Sequence, residues 1–248
     1  MSGSGASKPE RNLPGRSPYF LLLGLLLLFL SALGFWPQYF SALLGGTMAP
    51  HARFWAVHAH ALLFTGWLVA FIVQAGLIFA GRRQIHFRLG PWLAAYGFAA
   101  ALFGLFAGVL LAARMGQRTG APDLAASFVF APILDVMLLA GFLAYAVANT
   151  GRPEVHKRAM FAASYAIAFV GLARLVDRFG LFDTAYGWQP ALLAPLLIAV
   201  AVDLVAVRKI YGVLAVALAI QGARLYHEVL TDTEAWRRIG RAILSPFL

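Results

Sequence analysis

The chain has 248 residues, 61% of them hydrophobic and 12% charged, where a soluble domain carries about 25% charged residues. With a mean hydropathy of +0.77, this is more apolar surface than one soluble core of that length can bury, and a lipid solvent removes the difficulty. The absence of cysteine excludes disulfides, thiolate zinc sites, iron–sulfur clusters and cysteine nucleophiles. The net charge of +10 is spread in short basic clusters between apolar runs, which fits loops held at anionic lipid and not nucleic-acid binding.

Residues 1–17 are small, polar and basic, and predict a cytoplasmic tail. The apolar run from Tyr19 to Trp36 is long for a signal-peptide core, and no A-x-A cleavage site follows it. A retained first helix is therefore expected. A spanning helix needs about 20 mostly apolar residues. Seven segments qualify, near 18–36, 57–80, 91–113, 128–148, 159–177, 190–207 and 211–229. Pro37 ends the first, Gly81 ends the second, and Gly90-Pro91 opens the third, in the usual order of Gly outside and Pro just inside a helix. Pro153 precedes the fifth and Pro190 lies near the start of the sixth.

The expected fold is an all-α polytopic transmembrane helix bundle over 18–230, of about seven helices. The count falls to six if Arg208-Lys209 is not a true turn. Residues 231–248, around Trp236, Ile239, Ile243 and Leu244, are apolar on one side and basic on the other, the pattern of a short interfacial helix. Short loops weigh most in setting orientation. Eleven Lys/Arg fall on one side (the N-tail, 81–90, 149–158 and 208–209) and five on the other (Arg53, Arg114, Arg118, Arg174 and Arg178). The expectation is a bacterial inner membrane protein with its N-terminus cytoplasmic. The tail arginines Arg224, Arg237, Arg238 and Arg241 pull mildly the other way.

Ionisable and polar groups inside a membrane are costly and usually functional. His58 and His60 stand at the outer end of helix two, about 200° apart, so a regular helix cannot aim both at one ion. His60, Trp67 and Gln74 repeat every seven residues and predict an interior polar stripe. His86 and His156 each open an odd-numbered helix at the inner side. Histidines at equal depth on different helices are what a bis-imidazole heme b or a bound metal ion requires, although flanking Arg and Lys also suit lipid phosphate. Asp135 in helix four needs a partner, and Arg174 is the expected one. His156 and Arg174 are 18 residues apart, five whole turns, so they share one face about 27 Å apart. Asp203 near the inner end of helix six fits a surface acid as well as any site role. Gly97, Gly104 and Gly108 predict close helix packing. No H-E-x-x-H, P-loop or G-x-S-x-G occurs. A retinal protein is excluded, because Lys8, Lys157 and Lys209 are the only lysines and none lies mid-way along the last helix.

Gly34-Phe35-Trp36-Pro37, His58-x-His60, His86-x-Arg88-Leu89-Gly90 and Pro153-Glu154-x-His156-Lys157-Arg158-x-Met160 occur in that order. In this the chain resembles an uncharacterised family of proteobacterial multi-pass inner-membrane proteins, from about residue 30 to about 210. The resemblance implies a shared polar core of His58, His60, Gln74, His86, Asp135, His156, Arg174 and Asp203, and no assigned activity. It also implies a histidine in the loop after helix six, where this chain has Ile210-Tyr211. The paired histidines are similar to those of cytochrome b-type and small oxidase-assembly membrane proteins, an analogy only.

Three functions follow as expectations. The first is a redox-linked protein holding heme b or a metal ion through His86, His156, His58 and His60. The second is an accessory or scaffold subunit, or assembly factor, whose partners are lipids and other membrane subunits. The third is a small-solute transporter gated at Asp135 and Arg174; no inverted repeat is evident for it.

Overall fold

The computed structural model describes residues 17–49, 54–180 and 189–247. The tail cations Lys8, Arg11 and Arg16, together with Arg53, lie outside them. No strand occurs among the described residues, and six helical segments are long and apolar enough to cross a membrane: Tyr19–Leu44, Trp55–Phe79, Arg83–Thr119, Pro122–Ala148, Pro153–Arg178 and Pro190–Val207. The chain is an all-α integral membrane protein whose outer helix faces meet lipid.

The first segment comprises α1 (Tyr19–Phe35), a π-helical stretch at Trp36–Phe40, and α2 (Ser41–Leu44). Pro37 therefore does not end it. Proline near the start of a new turn gives up an N–H that has no helical acceptor, and the π-helical stretch absorbs the mismatch. Next come α3 (Trp55–Phe79) and α4 (Arg83–Thr119). The expected start of the third helix at Gly90-Pro91 is corrected: α4 runs unbroken through Pro91. Only Ala80, Gly81 and Arg82 separate it from α3, with Gly81 at φ 76°, a left-handed turn that glycine adopts freely. Pro91 lies near the polar boundary, where membrane helices tolerate the lost hydrogen bond. The 37 residues of α4 extend about 55 Å, far beyond an apolar core of about 30 Å. Its basic residues lie toward its two ends, Arg83 and Arg88 at one and Arg114 and Arg118 at the other.

After α5 (Pro122–Phe128) and α6 (Phe130–Ala148), α7 (Pro153–Arg178) takes the centre. Pro153 at its first position and Glu154 in its first turn suit a helix N-terminus. Gly34 of α1 meets Gly171 of α7 so closely that a Cβ added at Gly34 would stand 1.9 Å from the Gly171 carbonyl oxygen. Gly97 accommodates Trp67, Gly104 accommodates Phe64, and Gly108 accommodates Pro132, so the small residues of α4 receive large neighbours.

The sixth segment is a 3-10 turn, then α8 (Ala194–Val202), then a π-helical stretch at Asp203–Val207. Arg208 at φ 57° reverses the chain, so Arg208-Lys209 is a turn. The seventh pass is not one long helix: α9 (Gly212–Arg224) has 13 residues, about 20 Å, and the chain continues through α10 (Glu228–Thr231). It still reaches the opposite end. Tyr211 lies against Arg158 near the start of α7, whereas the Thr231 carbonyl accepts from Ser127 at 3.1 Å. The amphipathic α11 (Glu234–Leu244) rests its apolar side on protein. Trp236 donates to the Ala126 carbonyl at 2.9 Å, and Leu244 is buried with Val109, Ala112, Ala113, Ala125 and Val129. Its arginines have acidic neighbours: Arg241 pairs with Asp123 at 2.5 Å and with Glu234 at 2.7 Å, and Arg238 with Glu234 at 3.3 Å. Paired charges weigh less in topology than their number suggests.

Candidate functional site

Two polar districts lie at opposite ends of the bundle. At the end where α4 and α7 begin, the His86 and His156 rings have centroids 6.4 Å apart and planes at 90°. His156 Nδ1 lies 2.9 Å from the Ala146 carbonyl oxygen. An oxygen with no proton can only accept, so Nδ1 carries a hydrogen, and in the neutral ring Nε2 is the nitrogen with the lone pair. His86 Nδ1 is buried with no partner, as is Gln74 Oε1, while the Gln74 amide makes a long bond to the His86 carbonyl at 3.5 Å. Buried polar atoms without partners are rare enough to require a reason. Among the described residues no third His, Asp or Glu converges on the pair.

The Gln74 stripe faces inward as its spacing predicts. Trp67 is buried and donates to Ser164 Oγ at 3.2 Å. One turn into α7, Arg158 is fully buried, as is Asp203. Arg158 Nε donates to Asp203 Oδ2 at 2.6 Å, Nη2 donates to Oδ1, and Nη1 donates to Glu154 Oε2 and to the Glu154 carbonyl, both at 2.7 Å. The Tyr211 ring covers the guanidinium at 3.8 Å. Asp203 is thus no surface acid. It is an anchor joining α8 to α7, with Tyr211 of the following turn as its lid. Arg158 looked like a loop cation in the sequence; the i, i+4 spacing from Glu154 behind a helix-starting proline was the available signal.

At the other end the expected Asp135–Arg174 pair is not formed. Asp135 pairs with Arg224 of α9, Nη1 to Oδ1 at 2.5 Å, and the Phe169 ring lies 4.0 Å from that guanidinium. Arg174 sits closer to the end of α7, where it donates to Gln38 and lies 5.0 Å from the Phe35 ring. Depth decides the partner: Arg224 ends a short helix at the level of Asp135. His58 and His60 also part company. His58 Nδ1 shares a hydrogen bond with Tyr39 Oη at 3.0 Å, while His60 packs against Phe64, ring centroids 4.1 Å apart and planes tilted by 47°, with its Nδ1 buried and unpartnered. They do not form a bidentate pair. His60, Asp135, Arg174 and Arg224 line a chamber of about 1050 Å³.

No family model, curated protein or solved structure matches the chain.

Proposed function

We propose that this protein is a redox-linked component of a bacterial inner membrane, oriented with its N-terminus in the cytoplasm, and that it holds heme b, or less simply a metal ion, between His86 and His156. The observation that carries this reading is the pair itself: two imidazoles from different helices side by side at one level, with His156 Nδ1 tethered to a backbone carbonyl so that Nε2 is left for a ligand. Such a second bond from the far ring nitrogen is how ligating histidines are commonly oriented. Protein-built zinc sites use three or four side chains. Two histidines alone would suit a cofactor such as heme that brings most of its iron's ligands itself. The heme would supply one-electron chemistry. The chain's part is to orient two ring nitrogens, and the buried, unpartnered His86 Nδ1 and Gln74 Oε1 beside them are groups a bound cofactor or its water would satisfy.

An absorption spectrum of the purified protein, oxidised and dithionite-reduced, tests the reading. A Soret band with sharp reduced bands is expected, lost on His86→Ala and on His156→Ala and insensitive to His58→Ala. A protein expressed with heme supply that shows neither a Soret band nor a stoichiometric metal ion ends it.

A further inference from the structure

We infer that the chamber at the opposite end of the bundle is a binding site for an anionic amphiphile, a molecule with one acidic group on an apolar body. The site is separate from the histidine pair and does not depend on it.

The chamber, about 1050 Å³, exceeds the 300–1,000 Å³ usual for small-ligand sites, so it has room for a long apolar chain. Its depth follows from its walls. Arg118 lies one residue from the end of α4, beyond the hydrocarbon layer. Asp135 is 13 residues before the end of α6, about 20 Å from the opposite boundary. The space therefore reaches from one headgroup layer roughly a third of the way into the membrane. Phe64, Phe169 and Ile167 are among its apolar lining.

The charge of the walls selects the ligand. Arg114, Arg118, Arg174 and Arg224 line the space against only Asp135 and Glu228. Among the described residues Arg114, Arg118 and Arg174 have no carboxylate within ion-pair distance. Arg114 instead lies 4.0 Å from the Phe54 ring, and Arg174 rests on Phe35 and Gln38. Arg224 is buried, yet only its Nη1 bonds to Asp135, and its other N–H groups have no protein acceptor among the described residues. Arginine presents five N–H donors in a fork suited to carboxylate or phosphate. Spare guanidinium donors above an apolar space call for an acid head and an apolar tail. His60 Nδ1, buried without a partner on the same wall, is a further donor or acceptor for the head.

The test is equilibrium binding of radiolabelled oleate to the purified full chain in phosphatidylcholine nanodiscs. Saturable binding near one per chain is expected, with displacement by phosphatidylglycerol if the natural head is a lipid phosphate and resistance to it if the ligand is a free acid; both support the site. Neutral monoolein should not compete. Arg174→Gln should weaken binding about tenfold or more, the loss of one charge-assisted contact, and Arg174→Lys much less. Ala131→Phe, which keeps every charge and fills part of the space, should also weaken it while the protein elutes as the folded wild type does. Absence of saturable binding, displacement by monoolein as effective as by oleate, or unchanged affinity in both Arg174→Gln and Ala131→Phe would overturn the inference.

Discussion

Arg158 and Arg224 are both buried arginines facing a buried aspartate, and they live in opposite surroundings. Arg158 spends its donors on Asp203, Glu154 and a backbone carbonyl, under the Tyr211 ring. Arg224 gives one nitrogen to Asp135 and stands on the wall of a 1050 Å³ space. Removing one partner of a buried pair strands a charge, and the cost depends on what can reach that charge. The first pair is closed to everything but protein, and so is structural. The second remains open to solvent or a ligand, and so has a use beyond holding helices together.

The sharpest way to break this contrast is Asp203→Asn. It leaves Arg158 short of its main counter-charge in a sealed site and should cost about 3–5 kcal/mol, read as thermal unfolding in detergent or as loss of accumulation. The paired change Arg158→Met with Asp203→Leu should recover most of that loss, because a well-packed apolar pair often matches a buried ion pair. Next in size is Gly34→Ala. Its Cβ would collide with the Gly171 carbonyl, and overpacking at a rigid backbone contact costs about 1–3 kcal/mol. A wild-type melting curve for that variant would show that the chamber end is soft throughout and not only around its cavity. Asp135→Asn should be milder, about 1 kcal/mol, since Arg224 can turn to water or ligand. It should also raise oleate affinity by removing a negative wall charge. A loss as large as that of Asp203→Asn would erase the distinction between the two pairs. Smallest of all, Asp123→Asn, which removes the exposed partner of Arg241, should leave the melting curve nearly unchanged.

Composition and run length made the membrane bundle legible, and the seven-residue spacing of His60, Trp67 and Gln74 pointed at an inward stripe. What escaped was the pairing of charges. Asp135 announced that it needed a cation, but sequence order cannot rank Arg174 against Arg224 when they lie on different helices, because depth settles it. Arg158 escaped for another reason. A cation next to a loop in sequence looks wet, whereas Pro153 starts α7 so early that Arg158 is already one turn inside. Pro91 misled in the converse way: it suggested a helix start, and the membrane boundary let α4 run through it. The seventh pass was legible as an apolar run but not as a short helix followed by a broken turn.

Among the described residues α7 makes polar contacts along most of its length. His156, Arg158, Ser164, Tyr165 and Arg174 tie it in turn to Ala146, Asp203, Trp67, Leu192 and Gln38. A rod fastened at five heights in several directions cannot turn about its axis or slide along it without breaking several bonds together. α7 is therefore the fixed shaft of this protein, and any widening of the chamber has to come from the thinner parts around it, the short α9 and the turn that follows Arg224.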